Sequence, residues 1–282
     1  MMKARSHDSS HPKARGETEG AMNEDFPLPG LPSREAIDVW RVNLDQSYLR
    51  LLDFEAILSA EELRRAERLI FAQGANRFRV GRAMLRIGLG WYLAQRPGKI
   101  GLTTGWRGKP ELVEHSPLHF NVTHCGGLAL IAFTTIGEVG IDVEAIDRDV
   151  ESLDIANSNF TRKESRMIAA AASREEQTRV FLRFWTRKEA VLKAAGGGLL
   201  HGLDSVDVSE EPSGVVELGG EPGEGGASRW LVRDIDGIDG KAGTDGHAAA
   251  IAAPARNWNM RMWAINLDEA IVRTDARFPG WR

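Results

Sequence analysis

Two carboxylates stand two residues apart in the segment GIDVE, Asp142 and Glu144. In an extended strand both side chains fall on one face, and Ile141, Val143 and Ala145 take the other. Side-by-side carboxylates repel each other. A shared hard cation with oxygen ligands, Mg²⁺ foremost, relieves the repulsion; a solvated strand edge with ordinary charges is the plainer alternative. A third acid lies in FWTRKEAVLK, where Trp185, Glu189 and Lys193 fall at i, i+4 and i+8 along one line of a helix. Phe181, Phe184, Val191 and Leu192 make that helix largely buried, and a buried acid needs a partner. Lys193 can be that partner as an ordinary i,i+4 pair. The functional reading makes Glu189 a third metal ligand between two ammonium groups, Lys188 and Lys193, that bind phosphates as point charges.

Thr123 and His124 precede a Gly126-Gly127 turn. A hydroxyl, an imidazole and accessible backbone N–H groups can together hold a phosphate, although a lone histidine can equally be structural. The single cysteine, Cys125, has no base beside it in the sequence and reads as inert. Arg65, Arg68, Arg77, Arg79, Arg82 and Arg86 make a basic region, with Arg79, Arg82 and Arg86 on one helical face. Most of it reads as a solvated face; a polyanionic ligand or an acidic partner protein is the alternative. Lys109 sits in a short basic turn, RGKP.

These residues need elements to position them. Residues 36–45 alternate Ile37, Val39 and Arg41 against Asp38, Trp40 and Val42, a strand pattern. Ser59 with Glu61 and Glu62 opens a helix. Val80, Met84, Ile87 and Trp91 recur at spacings of 4, 3 and 4 within a second helix over 76–94. Strands are expected at 119–124, 128–134 and 139–146, helices at 162–172 and 175–195, then strands at 205–208, 215–218, 230–234, 248–253 and 260–266. The glycine-rich stretches 219–228 and 236–246 read as loops, and residues 1–25, with no branched aliphatic side chain, as a disordered tail. The order strand, helices, strands occurs twice, which implies an α+β (mixed α/β) fold of two similar halves meeting near residue 146. The expected division is a tail at 1–25, halves at 26–145 and 146–270, and a C-terminal tail at 271–282.

With 282 residues and 42% apolar side chains the chain can bury a substantial core. A net charge of −4 disfavours a general nucleic-acid binder. No apolar run reaches the roughly 18 residues of a membrane span, and one cysteine precludes an internal disulfide, consistent with a cytoplasmic location.

Taken in order, the segments SAEELRRAERLIFAQGANRFRVGRAMLR, GKP, FNVTH, GIDVE and WTRKEAVLK resemble the 4′-phosphopantetheinyl transferase superfamily, in its Sfp-type branch, over about residues 36–265. The resemblance implies a pseudo-dimer of two similar halves with the active site in the cleft between them. It implies transfer of the 4′-phosphopantetheine arm of coenzyme A to a serine of an apo carrier protein (acyl, peptidyl or aryl), with release of adenosine 3′,5′-bisphosphate. Asp142, Glu144 and Glu189 match the family's Mg²⁺ carboxylates. Arg65, Arg77, Lys109, Thr123, His124, Lys188 and Lys193 match positions that contact coenzyme A, chiefly its phosphates. Glu189, or a water beside it, is the expected base, and Lys193 the catalytic cation. A monomer with no nucleic-acid or membrane partner is expected. The chain departs from the family in having Thr123 and Cys125 where serine is frequent. A non-catalytic binding module and a Mg²⁺-dependent phosphodiesterase are the competing classes.

Overall fold

The computed structural model describes residues 31–45, 54–105, 108–147, 150–196, 202–210, 213–218, 229–237, 246–265 and 267–281. The expected N-terminal tail and most of the two glycine-rich loops lie outside the described residues.

The first half runs β1 (Ala36–Asn43), α1 (Ala60–Glu67), α2 (Ala72–Leu93), β2 (Leu102–Thr104), β3 (Pro110–Leu112), β4 (His119–Cys125) and β5 (Leu128–Thr134). There follow β6 (Gly140–Ala145), α3 (Ser152–Asn159), α4 (Arg162–Ala169), α5 (Arg174–Ala194), β7 (Ser213–Glu217), β8 (Arg229–Asp234), β9 (His247–Pro254), β10 (Asn259–Ile265) and α6 (Leu267–Arg277). Two four-stranded sheets, ordered β10-β1-β5-β4 and β6-β9-β8-β7, each pack against one long helix, with β2-β3 as a small ribbon. This is the mixed α+β plan of two similar halves.

The layers follow from strand alternation. On β1, Trp40 and Val42 face α2, where Met84, Ile87 and Trp91 complete one core. Ile37 and Val39, on the other face, join Ile141, Val143 and Ile251 in a core between the sheets. A third core lies between the second sheet and α5, with Phe181, Phe184, Val191, Val232 and Ala250. Strands covered on both faces read as long apolar runs, and β5 (LALIAFT) is buried at every position.

Helix starts match their sequence signals. The Ser59 hydroxyl accepts from the Glu62 N–H at 3.2 Å, and the Glu62 carboxylate accepts from the Ser59 N–H at 2.8 Å. Thr161 and Glu164 repeat this capping box at α4.

Three expectations change, and one element is added. Residues 205–208 are not a strand: one 3₁₀ turn at Leu203–Ser205 leads into irregular chain. Val206 and Val208 are buried as the pattern requires, but their carbonyls accept from the side chains of Lys188 and Arg187 instead of a neighbouring strand. The described part of the expected C-terminal tail, 271–281, is not a tail. Most belong to α6, which buries Ala270 and Ile271 and takes a hydrogen bond from Trp91 Nε1 to Thr274 Oγ1 at 2.9 Å. Helix α3 had no clear periodic signal. Finally, the halves interleave: β6 forms the edge of the second sheet, while β10 returns to lie parallel to β1, with Val39 opposite Met262. No described helix is long and apolar enough to cross a membrane.

Candidate active site at the junction of the two sheets

The edge of β6 faces β4, and side chains of β4 satisfy it where no ladder exists. Asn121 Oδ1 accepts from the Ile141 N–H at 3.0 Å, and Cys125 Sγ accepts from the Ala145 N–H at 3.3 Å. Between them, Thr123 Oγ1 donates to Asp142 Oδ1 at 3.1 Å. The FNVTH and GIDVE segments are therefore joined residue by residue, and Thr123 and Cys125 stand against Asp142 and Glu144.

Helix α5 crosses β6 at very close range. A Cβ on Gly140 would lie 1.9 Å from the Ala190 carbonyl oxygen and 2.5 Å from the Ala194 nitrogen, so the glycine of GIDVE is what lets the helix down onto the strand. That descent carries Lys193 to the carboxylates: its Nζ donates to Asp142 Oδ1 at 2.6 Å and to the Ile141 carbonyl at 3.2 Å. Glu189, half-buried, precedes Lys193 by one turn on the same helical face.

Asp142 is only 6% exposed, and burial raises its pKa; Lys193 opposes that rise and Glu144 adds to it. Its Oδ2 is shut from solvent with no hydrogen-bond partner. A buried carboxylate oxygen without a donor, beside a second carboxylate, fits a hard cation. Among the described residues no three His, Cys, Asp or Glu side chains already converge closely enough to hold a metal ion.

Lys188 does not join this group, which corrects the expectation that it reaches phosphates. Adjacent helical residues point about 100° apart, so the face that turns Glu189 and Lys193 toward β6 turns Lys188 inward. Its ammonium is fully buried, 2.8 Å from Glu164 Oε2, donates to the Leu203 carbonyl at 2.8 Å and to the Val206 carbonyl, and lies over the Phe160 ring. Burial lowers its pKa, and Glu164 opposes that. Arg187, equally buried, makes a bidentate pair with Asp234 and donates to the Val208 and Glu210 carbonyls.

Beyond the Gly126-Gly127 turn lies a cavity of about 570 Å³, walled by Arg65, Arg77, Arg82, Phe78, Pro110 and His124. Gly126 turns with φ +56°, a left-handed conformation that suits glycine. Arg77 is held by Asp45 through two hydrogen bonds of 2.7 and 2.9 Å, which lower the Asp45 pKa. Arg65 and Arg82 both lie over the Phe78 ring, at 5.3 and 5.6 Å. His124 is exposed by area, yet the surrounding concavity strips part of its hydration; that, then Lys193 and Arg77, lowers its pKa. These cations link the cavity to the carboxylates. Lys109 stands at the border: its Nζ donates to the Lys193 carbonyl at 3.0 Å and to Glu138 at 3.3 Å.

Arg86 belongs to the interior and not to a solvated face. It is 3% exposed, pairs with Glu62 at 2.8 Å and donates to the Pro97 and Ile100 carbonyls. Sequence reasoning missed Asp45 and Glu138, which orient Arg77 and Lys109. Each lies 29 or more residues from its partner, so no local spacing could reveal it.

Comparison with known proteins gives a consistent set. Residues 138–252 match the family model of the 4′-phosphopantetheinyl transferase superfamily. Over 234 residues the chain is 33% identical to 4′-phosphopantetheinyl transferase HetI of Nostoc sp., covering 81% of this chain and 92% of that one. It is 29% identical to 4′-phosphopantetheinyl transferase Sfp of Bacillus subtilis over 165 residues, 58% of this chain and 72% of Sfp. It is 38% identical to 4′-phosphopantetheinyl transferase AcpT of Salmonella typhimurium over 93 residues, 33% of this chain and 48% of AcpT.

Proposed function

The chain belongs to the 4′-phosphopantetheinyl transferase superfamily, and from that premise we propose that it moves the 4′-phosphopantetheine arm from coenzyme A to a serine of an apo carrier protein, with Mg²⁺, releasing adenosine 3′,5′-bisphosphate. The observation that carries this reading is the meeting of Lys193 with Asp142 where β4, β6 and α5 converge, beside a cavity walled by arginines and His124. A cavity for the anionic donor and the cation site are then contiguous.

Asp142 and Glu144, with Glu189 from α5, are the residues to hold Mg²⁺. When bound, the ion neutralises pyrophosphate charge and polarises the phosphorus under attack. The arginines and His124 bind the nucleotide and its phosphates. Thr123 offers a hydroxyl to the same anion. The serine oxygen forms a bond to the phosphorus bearing the pantetheine arm, and the bond to the bisphosphate oxygen breaks, that oxygen leaving with the electron pair. Lys193 stabilises the negative charge that develops on it. The serine proton leaves through a water that the Glu189 carboxylate anchors, since a carboxylate that holds Mg²⁺ is itself a poor base. Such transfer asks chiefly for positioning and electrostatics. A monomeric cytoplasmic enzyme is part of this reading.

The test is to incubate the full chain with coenzyme A, Mg²⁺ and several purified apo carrier proteins, and to weigh the carriers by mass spectrometry. Addition of the phosphopantetheine arm to serine is expected. No addition to any carrier, with no coenzyme A binding by calorimetry, refutes the proposal.

A further inference from the structure

The core between the two sheets changes character at one end. On β1, Ile37 and Val39 are fully buried in it, and the next residues on that face are Arg41 and Asn43. The same face of β10 runs from Met260 and Met262 to Ala264; that of β6 runs from Ile141 and Val143 to Ala145; and β9 begins there with His247. Where the apolar side chains stop, a groove of about 760 Å³ opens. An arginine in line with Ile37 and Val39 breaks the apolar alternation that fixes the face of a strand. Arg41 Nε is shut from solvent without a hydrogen-bond partner, and the side chain as a whole is half-buried, so an acceptor in the groove meets the terminal nitrogens of its guanidinium.

The groove touches the site. Cys125 lines it, with its Sγ 4.0 Å from Glu144 Oε2. Gly126 lines both this groove and the arginine-walled cavity, so the Gly126-Gly127 turn divides the two. The cavity carries several cations for a polyanionic donor. The groove carries Arg41 together with the exposed acid Asp147, which repels a doubly charged phosphate more than a single carboxylate.

We propose that this groove admits the acceptor, and that Arg41 pairs with a carboxylate of the carrier protein close to its reactive serine. The inference rests on the transferase reading above. With the nucleotide on one side of the turn, the serine has the other side from which to approach in line. The terminal nitrogens of the planar guanidinium match a carboxylate in two parallel hydrogen bonds.

Steady-state kinetics with a purified apo acyl carrier protein test the proposal. Arg41→Ala raises KM for the carrier about tenfold, while coenzyme A affinity by calorimetry stays at the wild-type value. Arg41→Lys recovers part of the loss. A series of carriers with each acid near the serine changed to Lys contains one that transfers poorly with the wild type, no worse with Arg41→Ala, and better with Arg41→Glu. A higher KM for coenzyme A alone, unchanged carrier KM in Arg41→Ala, or additive effects for every carrier acid overturns the assignment and leaves the transferase reading standing. A wild-type chain that binds coenzyme A and modifies no carrier sinks both.

Discussion

The two long helices do the same architectural work with different materials. Helix α2 lies on its sheet largely through apolar surface: its Trp91 packs edge-on against Trp40 of β1 at a centroid distance of 5.2 Å and its Tyr92 ring lies 4.8 Å from that of Phe133 on β5, with one polar tie where the Tyr92 hydroxyl donates to Asp38 at 2.8 Å. Its buried cation, Arg86, is tied to Glu62 of α1 and to loop carbonyls. Helix α5 instead drives Arg187 and Lys188 into its core, against Asp234, Glu164 and the carbonyls of 203–210. Apolar burial is non-directional, whereas charge-assisted hydrogen bonds fix an angle. The difference matches the tasks. Helix α2 needs only to present a wall of arginines, while α5 has to aim Glu189 and Lys193 at β6.

The contrast can be broken by substitution. Lys188→Met leaves Glu164 charged in the interior and costs about 3–5 kcal/mol, measured by urea unfolding. Gly140→Ala pushes a methyl group at the Ala190 carbonyl; the strain costs about 1–3 kcal/mol, and transfer slows by more than the stability loss explains because Lys193 is lifted from Asp142. On α2, Ile87→Val costs only about 1 kcal/mol, with coenzyme A affinity unchanged. Equal losses from Lys188→Met and Ile87→Val would erase the distinction between the helices. The smallest effect concerns pH. The His124 pKa is lowered in the folded chain, so its contribution to stability is complete above the unfolded value, about 6.5. It is lost as pH falls toward the folded value, since the unfolded chain takes the proton first. Unfolding midpoints of the wild type and His124→Gln are therefore expected to converge or cross on acidification from pH 7 to 5; a constant gap contradicts the shift.

Much of the site could be read from short-range spacing. The two-residue step of Asp142 and Glu144 and the four-residue step of Glu189 and Lys193 both hold on the elements observed. What spacing could not give was which way each element turned. Lys188 and Lys193 look alike in WTRKEAVLK, and it takes Glu164, 24 residues upstream, with the carbonyls of Leu203 and Val206 downstream, to hold Lys188 inward. The parallel pairing of β10 with β1 joins Ala36 to Asn259 across most of the chain, so no local periodicity announces it. Arg41 was visible in line with Ile37 and Val39, but its meaning depends on where the second sheet ends.

The most direct test of the account is Glu189→Gln, compared with the wild type for arm transfer from coenzyme A to an apo carrier by mass spectrometry, with unfolding followed in parallel. Because Glu189 is assigned to the reaction and Lys188 and Arg187 to holding the helix, transfer is expected to fall by about 10³-fold or more with the unfolding midpoint essentially unchanged. Near-normal turnover by the folded variant would contradict the assignment.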